Sequence, residues 1–198
     1  MTLPEIENSL ARHRPATIAD PASRRAAVSL VLNQSASGLE FLLIHRSERH
    51  GDPWSGQMAL PGGRRQPEDP DLLATSIRET REEVGLDLHR YGRALAALDE
   101  IQAVSRGARI DLIISPFVHA IDSAPPDLKI DPAEVQSALW VPLRQLIDPV
   151  AQTTFHYDLG GRKFEFPAYA YRGYKIWGLT YRILSQFIEV TAHPTGSR

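Results

Sequence analysis

Three glutamates, Glu79, Glu82 and Glu83, lie within five residues of one another in this chain of 198 residues. At about 100° per residue, an α-helix places their side chains within roughly 100° of arc. The apolar and small side chains of the same stretch fall on the opposite face, and they are Leu73, Ile77, Thr80 and Val84. This spacing predicts a helix over about residues 71–84 that buries one face and carries carboxylates on the other.

The acidic face has two interpretations. It could be a solvated surface, as charged faces of amphipathic helices usually are. Alternatively, the carboxylates could share a cation, because like charges this close repel one another unless a cation joins them. Oxygen ligands suit a hard divalent ion, so the second interpretation predicts Mg²⁺ or Mn²⁺ bound by Glu79, Glu82 and Glu83.

The residues that flank the helix favour the metal interpretation. Pro61, Gly62 and Gly63 permit a backbone conformation that larger residues resist, which can bring the Gly63 carbonyl close to the same ion. Gly85 supplies the end of the helix. Arg78 lies one turn before the second glutamate, so we expect it to brace a carboxylate without being a metal ligand itself.

Three other carboxylates lie near this stretch in the sequence or in the predicted sheet. Asp71 is placed to cap the first turn of the helix. Asp69 suits the positive end of the helix dipole and is expected to be structural. Glu100 sits between apolar neighbours, so it could point into the site, but we expect an exposed strand residue.

The stretch Arg78–Leu86 resembles the second half of the signature of the Nudix hydrolases, which reads Arg-Glu-apolar-x-Glu-Glu-x-Gly-apolar. Thr80 stands where an apolar residue is usual. The first half departs further, because Gly63 lies one residue too far from Arg78 and Pro70 stands where a glutamate is usual. The loop between the glycines and the helix is therefore expected to carry a one-residue insertion.

Within that family the chain is most similar to the coenzyme A pyrophosphatase branch, where an extended Leu-Leu-x-x-Arg-Ser stretch precedes the glycines. The corresponding residues here are Leu42–Ser47, followed by Gly56–Gly63. The arginine expected shortly after the serine is absent, and Gly51 stands near its place. Ile176–Thr180 also resembles this branch, so the likeness extends over about residues 25–190.

The resemblance implies an α/β fold, a Nudix-type α/β/α sandwich with a mixed β-sheet, which also agrees with the alternation of strands and helices. It further implies that a carboxylate several residues before the strand around Trp140 can reach the metal site. Glu134 occupies that position, although it could equally be an ordinary loop carboxylate. Either Glu134 or one of the motif glutamates is the expected general base.

The loop over residues 46–57 is polar and carries Arg46, Arg49 and Trp54. An ordinary surface loop would account for these residues. The functional alternative is a basic and aromatic wall for a phosphate-bearing substrate, to which Gly62 and Gly63 would also contribute.

The chain is expected to comprise an N-terminal arm over residues 1–25, one domain over residues 26–192 and a tail over residues 193–198. The arm should contain a short helix within residues 3–13. Residue patterns predict strands at Ala26–Asn33, Leu39–His45, Arg93–Val104, Ile110–Ile121, Ala138–Leu143, Thr153–Asp158 and Lys163–Tyr169. The apolar spacing of Ile176–Val190 predicts a helix packed on the sheet.

Composition narrows the classes of partner. A net charge of -2 gives no reason to expect a nucleic-acid partner, which would need a basic surface. The absence of cysteine excludes disulfides and thiolate chemistry. No apolar run approaches a membrane span, so we expect a cytoplasmic protein that does not bind membranes, with a small-molecule nucleotide as its partner. The sequence leaves a homodimer open.

The predicted activity follows from the carboxylates together with the resemblance. A diphosphate is anionic and repels hydroxide, so its hydrolysis needs cations that neutralise phosphoryl oxygens and activate water. The leading expectation is hydrolysis of coenzyme A or its thioesters to 3',5'-ADP and 4'-phosphopantetheine. The alternative is an ADP-ribose, dinucleotide or nucleoside-triphosphate pyrophosphohydrolase. A hypothesis from another class is a catalytically silent module that senses a nucleotide.

Overall fold

The computed structural model describes residues 1–52, 54–105, 108–123, 127–159 and 161–192. Its main sheet contains eight strands: β1 (Arg24–Ser35), β2 (Gly38–Arg46), β3 (Met58–Ala59), β4 (Gly62–Arg64), β5 (Gly92–Ala97), β6 (Ile101–Ser105), β7 (Ala108–Ile121) and β8 (Val135–Pro142). The helices are α1 (Leu3–Leu10), α2 (Leu72–Val84), α3 (Leu88–Tyr91) and α4 (Gly178–Ala192). A smaller sheet contains β9 (Gln152–Leu159), β10 (Arg162–Tyr171) and β11 (Tyr174–Trp177), and short 3-10 turns lie at Leu143–Leu146 and Pro149–Ala151.

Strand β1 organises the main sheet because its two halves have different partners. It runs parallel to β7, so the sheet is mixed. On its other side, its C-terminal half pairs with β2 and its N-terminal half pairs with β4. Strand β3 pairs with the far end of β2, and the Ser29 N–H donates to the Pro61 carbonyl. Residues 58–64 therefore fill the gap where β1 and β2 separate, and this places Gly62 and Gly63 in the sheet.

Both faces of this sheet are covered by helices. Alternate residues of β1 enter two separate cores, since Leu30 packs in one and Val31 in the other. The first core includes Phe187 of α4 and Ile6 of α1, and the second includes Ile77 of α2. The predicted α/β sandwich with a mixed sheet is therefore confirmed.

Helix α2 forms where the sequence predicts it. The Asp71 side chain accepts a hydrogen bond from the Ala74 N–H at 2.7 Å, which confirms the predicted cap. At the other end Gly85 has φ 71°, a left-handed conformation that favours glycine and ends the helix. The strand pair β1–β2, the hairpin β9–β10 and the short N-terminal helix are also confirmed.

Two predicted elements differ from the structure. The strand predicted over Arg93–Val104 is two strands, because Asp99 and Glu100 leave the sheet and accept hydrogen bonds from backbone N–H groups of the N-terminal segment. Helix α4 begins at Gly178, not at Ile176, because Ile176 and the residue after it pair with β10 as strand β11.

The expectation that Glu100 is exposed was wrong. Its side chain is 10% exposed and accepts hydrogen bonds from the Arg25 guanidinium and the Ser115 hydroxyl, each at 2.7 Å. Glu100 thus ties the N-terminal segment to β1 and β7.

The N-terminal residues contribute to the same core as the rest of the chain. Ile6 and Leu10 of α1 are almost fully buried in it, while the division at residue 25 stays a prediction. Parts of the predicted turns at 105–107, 122–131 and 159–162 and the whole tail lie outside the described residues. Among those described, no helix is long and apolar enough to cross a bilayer.

Candidate active site

The acidic face of α2 is turned toward the glycines of β4. The helix lies across β1, where the Ser29 hydroxyl donates to the Ser76 carbonyl at 3.0 Å. This docking leaves Glu79 only 9% exposed and Glu83 only 1% exposed, whereas the side chain of Glu82 is 51% exposed. The solvated-face interpretation therefore does not hold for Glu79 and Glu83.

Arg78 holds several of these carboxylates in place. Its guanidinium donates to both oxygens of Asp69, each at 2.9 Å, and to Glu82 at 2.8 Å. It also forms an ion pair with Glu79 at 2.9 Å. The Arg78 contact holds the pKa of Asp69 well below its usual range. Arg78 thus contacts the motif carboxylates as the sequence predicts. Asp69 in turn holds the Arg78 guanidinium in this position.

Glu83 is the most deeply buried carboxylate of the site. Its Oε2 accepts a hydrogen bond from the Gly62 N–H at 2.8 Å, and its Oε1 lies 3.9 Å from the nearest Arg46 nitrogen. Burial raises the pKa of Glu83 to about 8, against the opposing effects of the Gly62 bond and Arg46. Burial also raises the pKa of Glu79. The surrounding protein therefore supplies too little positive charge for both carboxylates to ionise freely.

The two glycines let the sheet approach these carboxylates. A Cβ atom on Gly63 would lie 2.5 Å from the carboxylate carbon of Glu79. A Cβ atom on Gly62 would collide with the carbonyl oxygen of Ala27 on β1. The absence of side chains at both positions is what brings the β4 backbone against Glu79 and Glu83.

The loop before β3 and the loop before β8 meet at this site. Arg46 donates to Asp52 at 2.8 Å, and this pair fixes its guanidinium near Glu83. Arg49 donates to the Ala133 carbonyl and lies 3.2 Å from Oε1 of Glu134. Glu134 is half-buried and adds to the negative potential that raises the pKa of Glu79 and Glu83. The structure thus brings Arg46 and Glu134 near the motif glutamates and Arg49 against Glu134, while the functional roles of all three stay predictions.

The donor set fits a hard divalent cation. Among the described residues, no three acidic or histidine side chains converge as a preformed metal cage. Arg78 contacts Glu79 and Glu82, while the Gly62 N–H donates to Glu83. Glu79 and Glu83 are nonetheless carboxylates whose pKa values burial raises, despite the nearby arginines Arg78 and Arg46. A divalent ion would supply positive charge to oxygen ligands of the kind Mg²⁺ and Mn²⁺ prefer.

A cavity of about 490 Å³ opens beside the glycines. The predicted substrate residues Arg46, Arg49, Trp54, Gly62 and Gly63 all line it. The sheet and α4 supply an apolar wall, whose members include Val28, Leu60, Ile110, Leu112, Ile114, Leu179 and Ile183. The cavity can therefore hold a molecule with both anionic and apolar parts.

Sequence reasoning missed three polar residues of this region. Asp52 fixes Arg46, and Arg24 and Arg64 line the far part of the cavity. Arg64 directly follows the two glycines, and this adjacency was the signal that could have identified it. Nothing in the sequence distinguishes Asp52 from its polar neighbours in the same loop.

Comparisons with known proteins agree with this geometry. The model of the NUDIX domain family matches residues 23–159. An uncharacterized protein of Schizosaccharomyces pombe is 43% identical over 119 residues, which cover 59% of this chain and only 36% of that protein. The mitochondrial coenzyme A diphosphatase NUDT8 of Homo sapiens is 28% identical over 182 residues, covering 89% of this chain and 72% of that protein. These matches confirm the resemblance predicted from the sequence.

A solved structure shows the same fold. The MutT/nudix family protein of Enterococcus faecalis superposes with a TM-score of 0.53 and 15% sequence identity. The superposition covers 97% of this chain and 70% of that protein. At this identity the likeness concerns the fold alone.

Proposed function

The chain belongs to the Nudix hydrolase family, and from that premise we propose that it hydrolyses the diphosphate linkage of a nucleoside diphosphate derivative. Its proposed substrate is coenzyme A or a coenzyme A thioester, and its products are 3',5'-ADP and 4'-phosphopantetheine or the acylated form of the latter. The similarity to a coenzyme A diphosphatase supports this substrate class. The proposed cofactor is Mg²⁺ or Mn²⁺.

The observation that carries the proposal is the burial of Glu79 and Glu83 against Gly62 and Gly63, two glycines that line the cavity. A buried carboxylate pair is costly unless a cation neutralises it. The same glycines line a cavity that also contains arginine side chains, so a cation held by these glutamates would lie close to an anionic substrate bound there.

A bound divalent ion supplies charge neutralisation at the phosphoryl oxygens and lowers the pKa of a water molecule. The residues of the chain hold and orient the reactants. Glu79 and Glu83 are the proposed ligands, with Glu82 and the Gly63 carbonyl as further oxygen donors. Arg78 fixes Glu79 and Glu82, and the Gly62 N–H orients Glu83.

The remaining requirement is a base. Glu134 is the proposed acceptor of the proton from the attacking water, because it is half-buried and held beside the site by Arg49. The water oxygen attacks one phosphorus, and the bond between that phosphorus and the bridging oxygen breaks. The bridging oxygen leaves with the second phosphorus, so both products carry a phosphate.

The test is an assay of the purified protein with Mg²⁺ or Mn²⁺ on coenzyme A, an acyl-coenzyme A, ADP-ribose, a dinucleotide and a nucleoside triphosphate. Mass spectrometry identifies the products. We expect the highest kcat/KM with coenzyme A or its thioester, and coenzyme A ranking among the poorest substrates would refute the substrate assignment. Nucleotide binding without turnover under any divalent ion would instead support the sensing module.

A further inference from the structure

The cavity beside the glycines has a second basic end on its sheet floor. Side chains two residues apart on a strand share one face, so Arg24, Ala26 and Val28 of β1 all face the cavity. In the antiparallel pairing of β1 with β4, Arg64 lies directly opposite Ala26. Directly opposed residues share a face, and their diagonal neighbours lie within reach of long side chains. Arg24 and Arg64 are therefore neighbours on the floor of the cavity.

These two guanidinium groups have charge available for a ligand. Within the described part of the chain, Arg64 makes no side-chain ion pair, and its side chain is exposed. Arg24 donates to the Asp111 carbonyl at 3.1 Å, and its distance of 3.6 Å to the Asp111 carboxylate is longer than a hydrogen bond. By contrast, Arg46 and Arg49 already contact the carboxylates of Asp52 and Glu134.

The position of this basic end along β4 defines what it can bind. Arg64 follows Gly62 by two residues on β4, a rise of about 7 Å along the strand. An anion at Arg24 and Arg64 would thus lie beside, and not at, the diphosphate held near Gly62 and Gly63. The offset is comparable to the width of one sugar ring with its substituents. Leu112, which pairs with Arg24 across β1 and β7, also lines the cavity.

We propose that Arg24 and Arg64 bind a phosphomonoester group carried on the sugar next to the diphosphate. This inference rests on the proposed function and defines its substrate class as ribose-phosphorylated nucleoside diphosphate derivatives. Arginine suits this role because its planar guanidinium donates two parallel hydrogen bonds to a phosphate. The two arginines are positioned to discriminate between substrates without taking part in the bond cleavage.

The first test compares coenzyme A with dephospho-coenzyme A, which lacks only the phosphomonoester. The variants are Arg24→Gln and Arg64→Gln, with Arg109→Gln as the control for loss of an exposed arginine of β7 that does not line the cavity. We expect the wild-type protein to prefer coenzyme A and each site variant to lose about tenfold in kcat/KM on coenzyme A, the value of one charge-assisted hydrogen bond. Activity on dephospho-coenzyme A should stay within about twofold of wild type, and Arg109→Gln should alter neither.

The second test measures binding by calorimetry, with 3',5'-ADP and 5'-AMP as probes and inorganic phosphate as a competitor. The wild-type protein should bind 3',5'-ADP on the order of 100-fold more tightly than 5'-AMP, and Arg64→Gln should reduce this difference about tenfold. Inorganic phosphate should weaken the binding of 3',5'-ADP to the wild-type protein more than to Arg64→Gln, and equal affinity of the wild-type protein for the two nucleotides would overturn the proposal.

Other outcomes separate this inference from the proposed function. Equal losses on coenzyme A and dephospho-coenzyme A would mean that the arginines act on the diphosphate, and the inference would be wrong while the function stood. Binding of 3',5'-ADP that depends on Arg64, without hydrolysis of either substrate, would support the anion site and refute the proposed function.

Discussion

Substitution of Glu83 by glutamine should stabilise the metal-free protein and impair catalysis at the same time. Burial raises the pKa of Glu83 to about 8, whereas an unfolded chain returns this pKa to its ordinary value of 4.5. Between these two values the native state binds the proton that the unfolded state releases. The free energy of unfolding therefore falls as the pH rises from 4.5 to 8.

The size of the effect follows from the two pKa values. At pH 7 the unfolded carboxyl lies 2.5 pH units above its pKa of 4.5, and the native one is still mostly protonated. At about 1.4 kcal/mol per unit, this amounts to roughly 3 kcal/mol. Glutamine avoids that cost, and its side-chain oxygen can still accept the Gly62 hydrogen bond. For a chain of this length, Tm should rise by about 6–12 °C in the variant.

Urea unfolding in chelator at several pH values between 4.5 and 8 measures this difference. We expect the Glu83→Gln variant to be more stable than wild type at pH 7 and nearly equal to it at pH 4.5. Glu82→Gln is the matched control for loss of a carboxylate from the same face of α2, because the Glu82 side chain is exposed. Equal stability of wild type and Glu83→Gln at pH 7 would show that the buried carboxylate carries no such cost.

The same variant tests the proposed metal site. A neutral amide is a poor ligand for a hard cation, so kcat/KM with Mg²⁺ or Mn²⁺ should fall on the order of 10²-fold or more. Added metal should also stabilise wild type more than the variant, because the ion binds the ionised carboxylate. Full activity in Glu83→Gln would contradict the assignment of this residue.

Three further predictions concern neighbouring parts of the structure. Arg78→Ala removes the partner of Asp69, so it should destabilise the fold by about 3 kcal/mol and weaken metal affinity about tenfold, as urea unfolding and metal titration can measure. Unchanged metal affinity would refute its bracing role. Gly63→Ala should lower kcat/KM at least about tenfold, because the added methyl group must displace the Glu79 carboxylate, and an active variant with an unaltered metal titration would argue against this close approach. Burial lowers the pKa of His119 to about 4 from 6.5, so the unfolded state binds more protons in that window. Wild type should therefore lose roughly 3 kcal/mol of stability as the pH falls from 6.5 to 4, and His119→Phe should lose less over the same range. The same loss of stability in wild type and in His119→Phe between pH 6.5 and 4 would contradict the role of His119.

Local patterns in the sequence identify helix α2, its carboxylates and the residues that begin and end it. The helical spacing of Glu79, Glu82 and Glu83, the cap at Asp71 and the stop at Gly85 depend on neighbouring residues, so they can be read without the fold. Arg78 and its contact with Glu82 follow from the same one-turn spacing. These features could be predicted because each is determined within a few residues.

The unpredicted features depend on strand pairing between distant parts of the chain. The burial of Glu79 and Glu83 arises because β4 inserts beside β1, which periodicity within α2 does not reveal. Glu100 is partnered because the N-terminal segment passes beside it. Arg24 and Arg64 meet only through the register of β1 and β4. In each case the side chain's surroundings come from residues far away in sequence.

The segment between Gly62 and Arg78 is anchored at both ends, and this explains how the chain tolerates a signature of altered length. At the first end the Gly62 amide is tied to Glu83, and at the second the carboxylate of Asp69 is tied to Arg78. Residues between two such anchors can grow in number by bulging into solvent while the helix and the glycines keep their separation. An added residue in this segment therefore leaves both anchors intact, and the glycines stay in position against the carboxylates of the helix.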